Sequence, residues 1–252
     1  MRGDKELQCL ELIKNNFPKD HAYQKGMNEQ NFQLLKNIVD TVKPNSEIND
    51  FPDFISKDSF IEHFQITSSV ETKRKGSAQS KRDAIFEQDF QKGIKRAQKA
   101  GYKGVIHPQP YKVTGHSYEN LKNSFIKNWK NHIESLRKYE KAYKTGIFLI
   151  QYFDFALEMG ELLPEDAPKD KVSDVKHNYY LSKDKDLLKY IAEFENEIRF
   201  VIYVNTEDFE IIDLKEIKNK VHSMNDWMIL PVFGIRSAYA VPLDIDLGGN
   251  YD

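Results

Sequence analysis

The sequence predicts an α/β domain: a central mixed β-sheet flanked by helices, with a C-terminal α/β extension. Three observations predict it. Apolar residues recur at three-and-four spacing over 29–42 and again over 118–143. Continuous apolar runs at 147–150 and 200–204 read as strands buried on both faces. Between the helical segments, residues 51–55 and 59–67 form short runs rich in Phe and Ile, separated by the polar Ser56-Lys57-Asp58. That pattern is a β-hairpin.

The elements follow in order. Leu7, Leu10, Ile13 and Phe17 trace a short helix that ends before Pro18. Phe32, Leu35, Ile38, Val39 and Val42 trace a second, capped by Asn28 and stopped by Pro44. The hairpin comes next. A basic insertion spans about 68–117, with a helix predicted over 84–100 and a loop around Pro108 and Pro110. The long helix over 118–143 starts at a Ser117 cap, and its apolar face carries Tyr118, Leu121, Phe125, Trp129, His132, Leu136 and Tyr139. On that face His132 reads as a core residue. A buried strand is predicted over 146–153, a short helix over 184–194, and strands over 198–204, 209–214 and 232–241. The 252 residues read as one domain, with a core at about 29–154 and an acidic extension at about 155–252.

Composition excludes several classes. With 40% hydrophobic and 30% charged residues, the chain is neither disordered nor collagen-like. A single cysteine, Cys9, excludes an intramolecular disulfide and a thiolate zinc cluster. No apolar run approaches the ~20 residues of a membrane helix. No apolar leader follows Met1, so a cytoplasmic protein with no membrane partner is expected. There is no phosphate-binding Gly-rich loop, dinucleotide fingerprint or nucleophile elbow. The net charge of −2 hides an asymmetry. Residues 71–112 hold eleven basic and four acidic side chains, whereas residues 154–252 hold eleven basic and twenty-one acidic. A basic segment of this kind is either a solvated face or a phosphate-contacting one, the contacts then coming from Lys73, Arg74, Lys75, Lys81, Arg82, Lys95 and Arg96.

The chemistry centres on the hairpin. Asp53 ends one strand and Glu62 lies on the next, so strands ~4.8 Å apart bring the two carboxylates together. Two such groups remain ionised side by side only if a cation or hydrogen-bond donors compensate. Mg²⁺ or Mn²⁺ suits the task, because magnesium prefers oxygen ligands and often takes only one or two carboxylates.

Pro52-Asp53, Glu62 and the order helix, hairpin, long helix, apolar strand resemble the PD-(D/E)XK nuclease superfamily, which has the restriction-endonuclease-like core. The resemblance covers about 29–154. It implies metal-dependent hydrolysis of phosphodiester bonds, usually in DNA, as in restriction or defence nucleases. By that resemblance Asp53 and Glu62 hold the metal and His63 adds its backbone carbonyl. A lysine, or sometimes a glutamine, two positions past the glutamate positions the attacking water in that family. Here that position is Phe64, and Gln65 stands one place later. A β-bulge would bring Gln65 to the catalytic face. Glu71-Thr72-Lys73 spells the motif literally, in a stretch with little strand propensity. Two readings follow: a metal-dependent endonuclease, or a catalytically inactive nucleic-acid- or protein-binding module of the same fold. A homodimer or a partner subunit is compatible with either.

Overall fold

The computed structural model describes residues 4–18, 27–45, 51–69, 92, 95–96, 99, 108–112, 115–139, 142–152, 154, 156–165, 167–168, 173–176, 178–205 and 208–237. Two N-terminal helices open the chain, α1 (Asp4–Asn16) and α2 (Glu29–Thr41). The Asn28 side chain accepts from the Asn31 N–H, as a cap should, and the Phe32, Leu35, Ile38, Val39 face of α2 is buried. Three strands follow: β1 (Lys43–Pro44), β2 (Phe54–Ile55) and β3 (Ser59–Ile66). Next come β4 (Pro108–Lys112) and the long helix α3 (Tyr118–Lys138), whose Ser117 cap accepts from the Asn120 N–H. The C-terminal half supplies β5 (Thr145–Tyr152), β6 (Leu157–Glu161), β7 (Val175–Lys176), α4 (Lys185–Ala192), β8 (Phe200–Val204), β9 (Phe209–Asp213), α5 (Leu214–Lys220), β10 (Trp227–Pro231) and β11 (Phe233–Ser237).

Six strands form the central sheet in the order β1-β2-β3-β5-β8-β9. It is mixed. β2 and β3 are an antiparallel hairpin, β3–β5 and β5–β8 are parallel, and β8–β9 is antiparallel. Parallel neighbours need crossovers; α3 supplies one and α4 the other. Strand alternation then assigns each side chain to a layer. Ile61, Ile147, Leu149, Phe200 and Ile202 pack under α1 and α2. Phe60, Phe64, Phe148, Ile150 and Val201 pack against α3 and α4. β5 is buried along its whole length, which is why its 147–150 segment reads as an unbroken apolar run. Each large side chain fully buried here, such as Phe60, Phe148 or Phe125, contributes ~1.5–3 kcal/mol.

Gly146 on β5 is a close-approach glycine. A Cβ there would lie 2.7 Å from the Phe60 ring and 2.8 Å from the Glu197 carbonyl. At the hairpin turn the Ser56 N–H donates to the Ser59 carbonyl, and Lys144 just before β5 pairs with Asp58 at 2.9 Å.

Several elements differ from the sequence reading. α3 stops at Lys138, five residues short of the expected end, with Tyr139 already extended. The predicted loop around Pro108 and Pro110 is a strand, β4, paired with β11. Two prolines two residues apart place their missing N–H groups along one edge, which a two-stranded ribbon tolerates. β6, β7 and β10 form a separate three-stranded sheet that the periodicity did not reveal. Of the expected 232–241 strand, β11 is described, and of the basic helix, Lys92, Lys95, Arg96 and Lys99 are described as helical and exposed. Lys73, Arg74, Lys75, Lys81, Arg82 and the Glu71-Thr72-Lys73 spelling lie outside the described residues. No helix among the described residues is long and apolar enough to cross a membrane.

Candidate active site

The hairpin register decides where the acids meet. Phe54 pairs with Ile61 and Ile55 with Phe60. Continued by one residue, this register sets Asp53 opposite Glu62. The two are cross-bonded: the Asp53 N–H donates to Glu62 Oε2 at 3.0 Å, and the His63 N–H donates to Asp53 Oδ2 at 2.8 Å. Each carboxylate thus accepts from the backbone of the opposite strand. These bonds lie just before β2 begins, where the Asn45 N–H also donates to the Asp53 carbonyl at 2.8 Å.

Burial pushes the Asp53 carboxyl up from 3.8 to about 7, and the adjacent Glu62 charge adds to the rise. The His63 N–H opposes it, while the charge of Glu6 on α1 adds a smaller push. Asp53 is therefore a carboxyl whose ionisation is resisted by its surroundings, in the manner of paired carboxylates at functional sites.

Glu62 points to the α3 layer. Its Oε1 lies 2.7 Å from Nδ1 of His132. A carboxylate oxygen accepts, so Nδ1 is the donor. The His132 ring stacks on Phe64, with centroids 4.7 Å apart and an interplanar angle of 14°. The Glu62 side chain is 9% exposed and that of His132 23%, so the pair sits just inside the surface. The apolar face of α3 does carry His132, but the residue is not simply core. It reaches across to the β3 carboxylate, a contact 70 residues distant in sequence.

His63 and Gln65 occupy the other layer. β3 pairs with β5 in unbroken parallel register from Ser59–Thr145 to Ile66–Tyr152, so no bulge shifts Gln65 to the face of Glu62. Instead Gln65 Nε2 donates to Gln151 Oε1 at 2.6 Å, and His63 Nε2 lies 3.1 Å from the same oxygen. The amide oxygen accepts both, which leaves His63 with its proton on Nε2. Burial lowers the His63 imidazole, keeping it neutral near pH 7. Asp53 and Glu62 are thus brought together with the His63 backbone, while the Gln65 side chain stands on the opposite face. Gln151, buried on β5, was missed by the sequence reading, because nothing local distinguishes a glutamine within an apolar strand.

A second polar cluster closes the ends of β3 and β5. Asp154 Oδ2 accepts from Thr67 Oγ1, the Ser68 N–H and Ser68 Oγ, and Ser68 Oγ also lies 2.7 Å from His116 Nδ1 and 3.0 Å from the Tyr152 hydroxyl. Ser, His and Asp meet here, yet Ser68 is fully buried and its hydroxyl is shared among three neighbours. The cluster clamps the two ends of the basic insertion, where Ser69 also bridges to His116. It has no geometry for nucleophilic attack. Tyr118, at the start of α3, is engaged structurally, its hydroxyl donating to Asp184 at 2.9 Å.

Among the described residues no three His, Cys, Asp or Glu side chains converge as a metal cage. The donor set present is a carboxylate pair, Asp53 and Glu62, which matches the one or two protein carboxylates that magnesium commonly takes. No family model, no curated protein and no solved structure matches the chain.

Proposed function

We propose that the protein is a metal-dependent phosphodiesterase that cleaves nucleic acid, DNA in the first instance, at the Asp53–Glu62 hairpin. One observation carries the reading: two carboxylates cross-bonded on a hairpin, one of them held at an unfavourable ionisation by burial and by its neighbour. A divalent cation relieves that repulsion. The order α2–β1–β2–β3–β4–α3–β5, in which β4 belongs to the insertion, supports the restriction-endonuclease-like resemblance. The exposed Lys92, Lys95, Arg96 and Lys99, spaced to share one helix face, support a phosphate-binding role for the insertion.

Asp53 and Glu62 would hold Mg²⁺ or Mn²⁺, with the His63 carbonyl as the further ligand that the resemblance implies. The ion supplies charge neutralisation at the phosphoryl oxygens and a more acidic bound water. The chain's own residues orient the ligands: the His63 N–H fixes Asp53, and the Asp53 N–H fixes Glu62.

The test is cleavage of plasmid and single-stranded DNA with Mg²⁺, Mn²⁺ or EDTA, for wild type and Asp53→Asn. Cutting that needs the metal and vanishes in the variant supports the reading. Phe64 at the position of the catalytic lysine favours a second reading, a non-cleaving nucleic-acid-binding module. Salt-dependent DNA retention with no cutting under any metal would establish that instead.

A further inference from the structure

We infer that His132 is a positioning residue for the metal-binding carboxylate Glu62, and that Phe64 serves as the platform that orients it. The inference rests on the metal-site reading above. Glu62 Oε2 is held by the Asp53 N–H at 3.0 Å and Oε1 by His132 Nδ1 at 2.7 Å. The carboxylate is therefore oriented from both sides, once by the hairpin and once by α3. An imidazole that donates to a ligating carboxylate fixes its direction and tunes its donor strength.

The imidazole is itself oriented. It lies flat on Phe64 at 4.7 Å and edge-on to Phe148 at 6.2 Å, and Trp129, one turn earlier on α3, also packs on Phe148. Two aromatic rings and a helix backbone thus define the ring plane and leave Nδ1 facing Glu62. This gives Phe64 a role. The residue two places beyond Glu62 shares its strand face, and there an aromatic side chain seats the histidine of another element. The side-chain nitrogen that serves this carboxylate comes from α3, 70 residues on, and not from β3.

The experiment separates the hydrogen bond from the packing. His132→Phe keeps an aromatic ring on Phe64 and removes the nitrogen. His132→Asn keeps a donor near the Nδ1 position and removes the ring. Mn²⁺ binding to the full chain is titrated by calorimetry without DNA, and thermal unfolding checks that both variants fold. Loss of such an outer partner weakens metal binding by roughly 10–100-fold. The expected result is that loss in His132→Phe and substantially less in His132→Asn, with DNA retention in EDTA unchanged in both. Wild-type Mn²⁺ binding that His132→Phe leaves unaltered overturns this inference alone. Equal loss in both folded variants also overturns it, since a donor restored at the Nδ1 position would then recover nothing. A wild type that binds no Mn²⁺ overturns the metal reading itself and this inference with it.

Discussion

Replacing Asp53 by asparagine tests the electrostatics of the hairpin directly. Asparagine keeps the shape. Its carbonyl oxygen can still accept from the His63 N–H, and its amide can donate toward Glu62, so no buried group is orphaned. What disappears is a carboxyl raised from 3.8 to about 7. The sign follows from linkage. A raised acid binds its proton more tightly in the folded state, so its contribution is fully favourable below about pH 4 and is lost as pH rises through about 7. Some three units at 1.36 kcal/mol each set a ceiling of about 4 kcal/mol, and partial solvent access reduces this to ~2 kcal/mol. For a chain of this size that is a Tm gain of ~4–8 °C for Asp53→Asn at pH 8 without metal, shrinking steadily toward pH 4. Adding Mn²⁺ should raise the wild-type Tm and leave the variant unmoved. Differential scanning calorimetry across pH 4–8 reads both effects. A variant less stable than wild type at pH 8, or a gain that does not change with pH, would refute the reasoning: the first would mean that the folded site favours ionised Asp53, the second that folding leaves its proton affinity unchanged.

Three further outcomes are expected. Gly146→Ala drives a methyl into the Phe60 ring and the Glu197 carbonyl, and should cost about 1–3 kcal/mol in urea unfolding with little change in slope. Asp184→Ala removes the α4 cap and strands the hydroxyls of Tyr118 and Tyr179, so a loss of about 3 kcal/mol is expected; a loss under about 1 kcal/mol would show that water replaces the carboxylate. Lys95→Ala and Arg96→Ala should each lower DNA affinity and reduce the salt dependence of binding by about one ion per charge removed, and an unchanged slope would take that helix face off the DNA.

Much of the fold was legible because local periodicity reports burial. The Phe32-to-Val39 stripe, the apolar 147–150 run of β5 and the Leu121-to-Trp129 face each require a particular layer, and each found it. The hairpin was legible for the same reason, and its register carried Asp53 to Glu62. β4 was not, since proline-rich spelling signals a loop until a partner strand is known. The three-stranded sheet was not, because β7 is only two residues long and β6 pairs with a strand 66 or more positions away.

The sequence by itself determined the α/β class, the alternation of layers and the pairing of two carboxylates across a short turn. These are consequences of spacing within a few residues, where chain geometry leaves little choice. Only the tertiary structure decided which nitrogen meets Glu62, on which face Gln65 lies, and that His63 leans on Gln151, 88 residues away. Those contacts depend on how α3 and β5 settle against β3. That docking is set by the summed packing of many apolar side chains, and no local pattern encodes it.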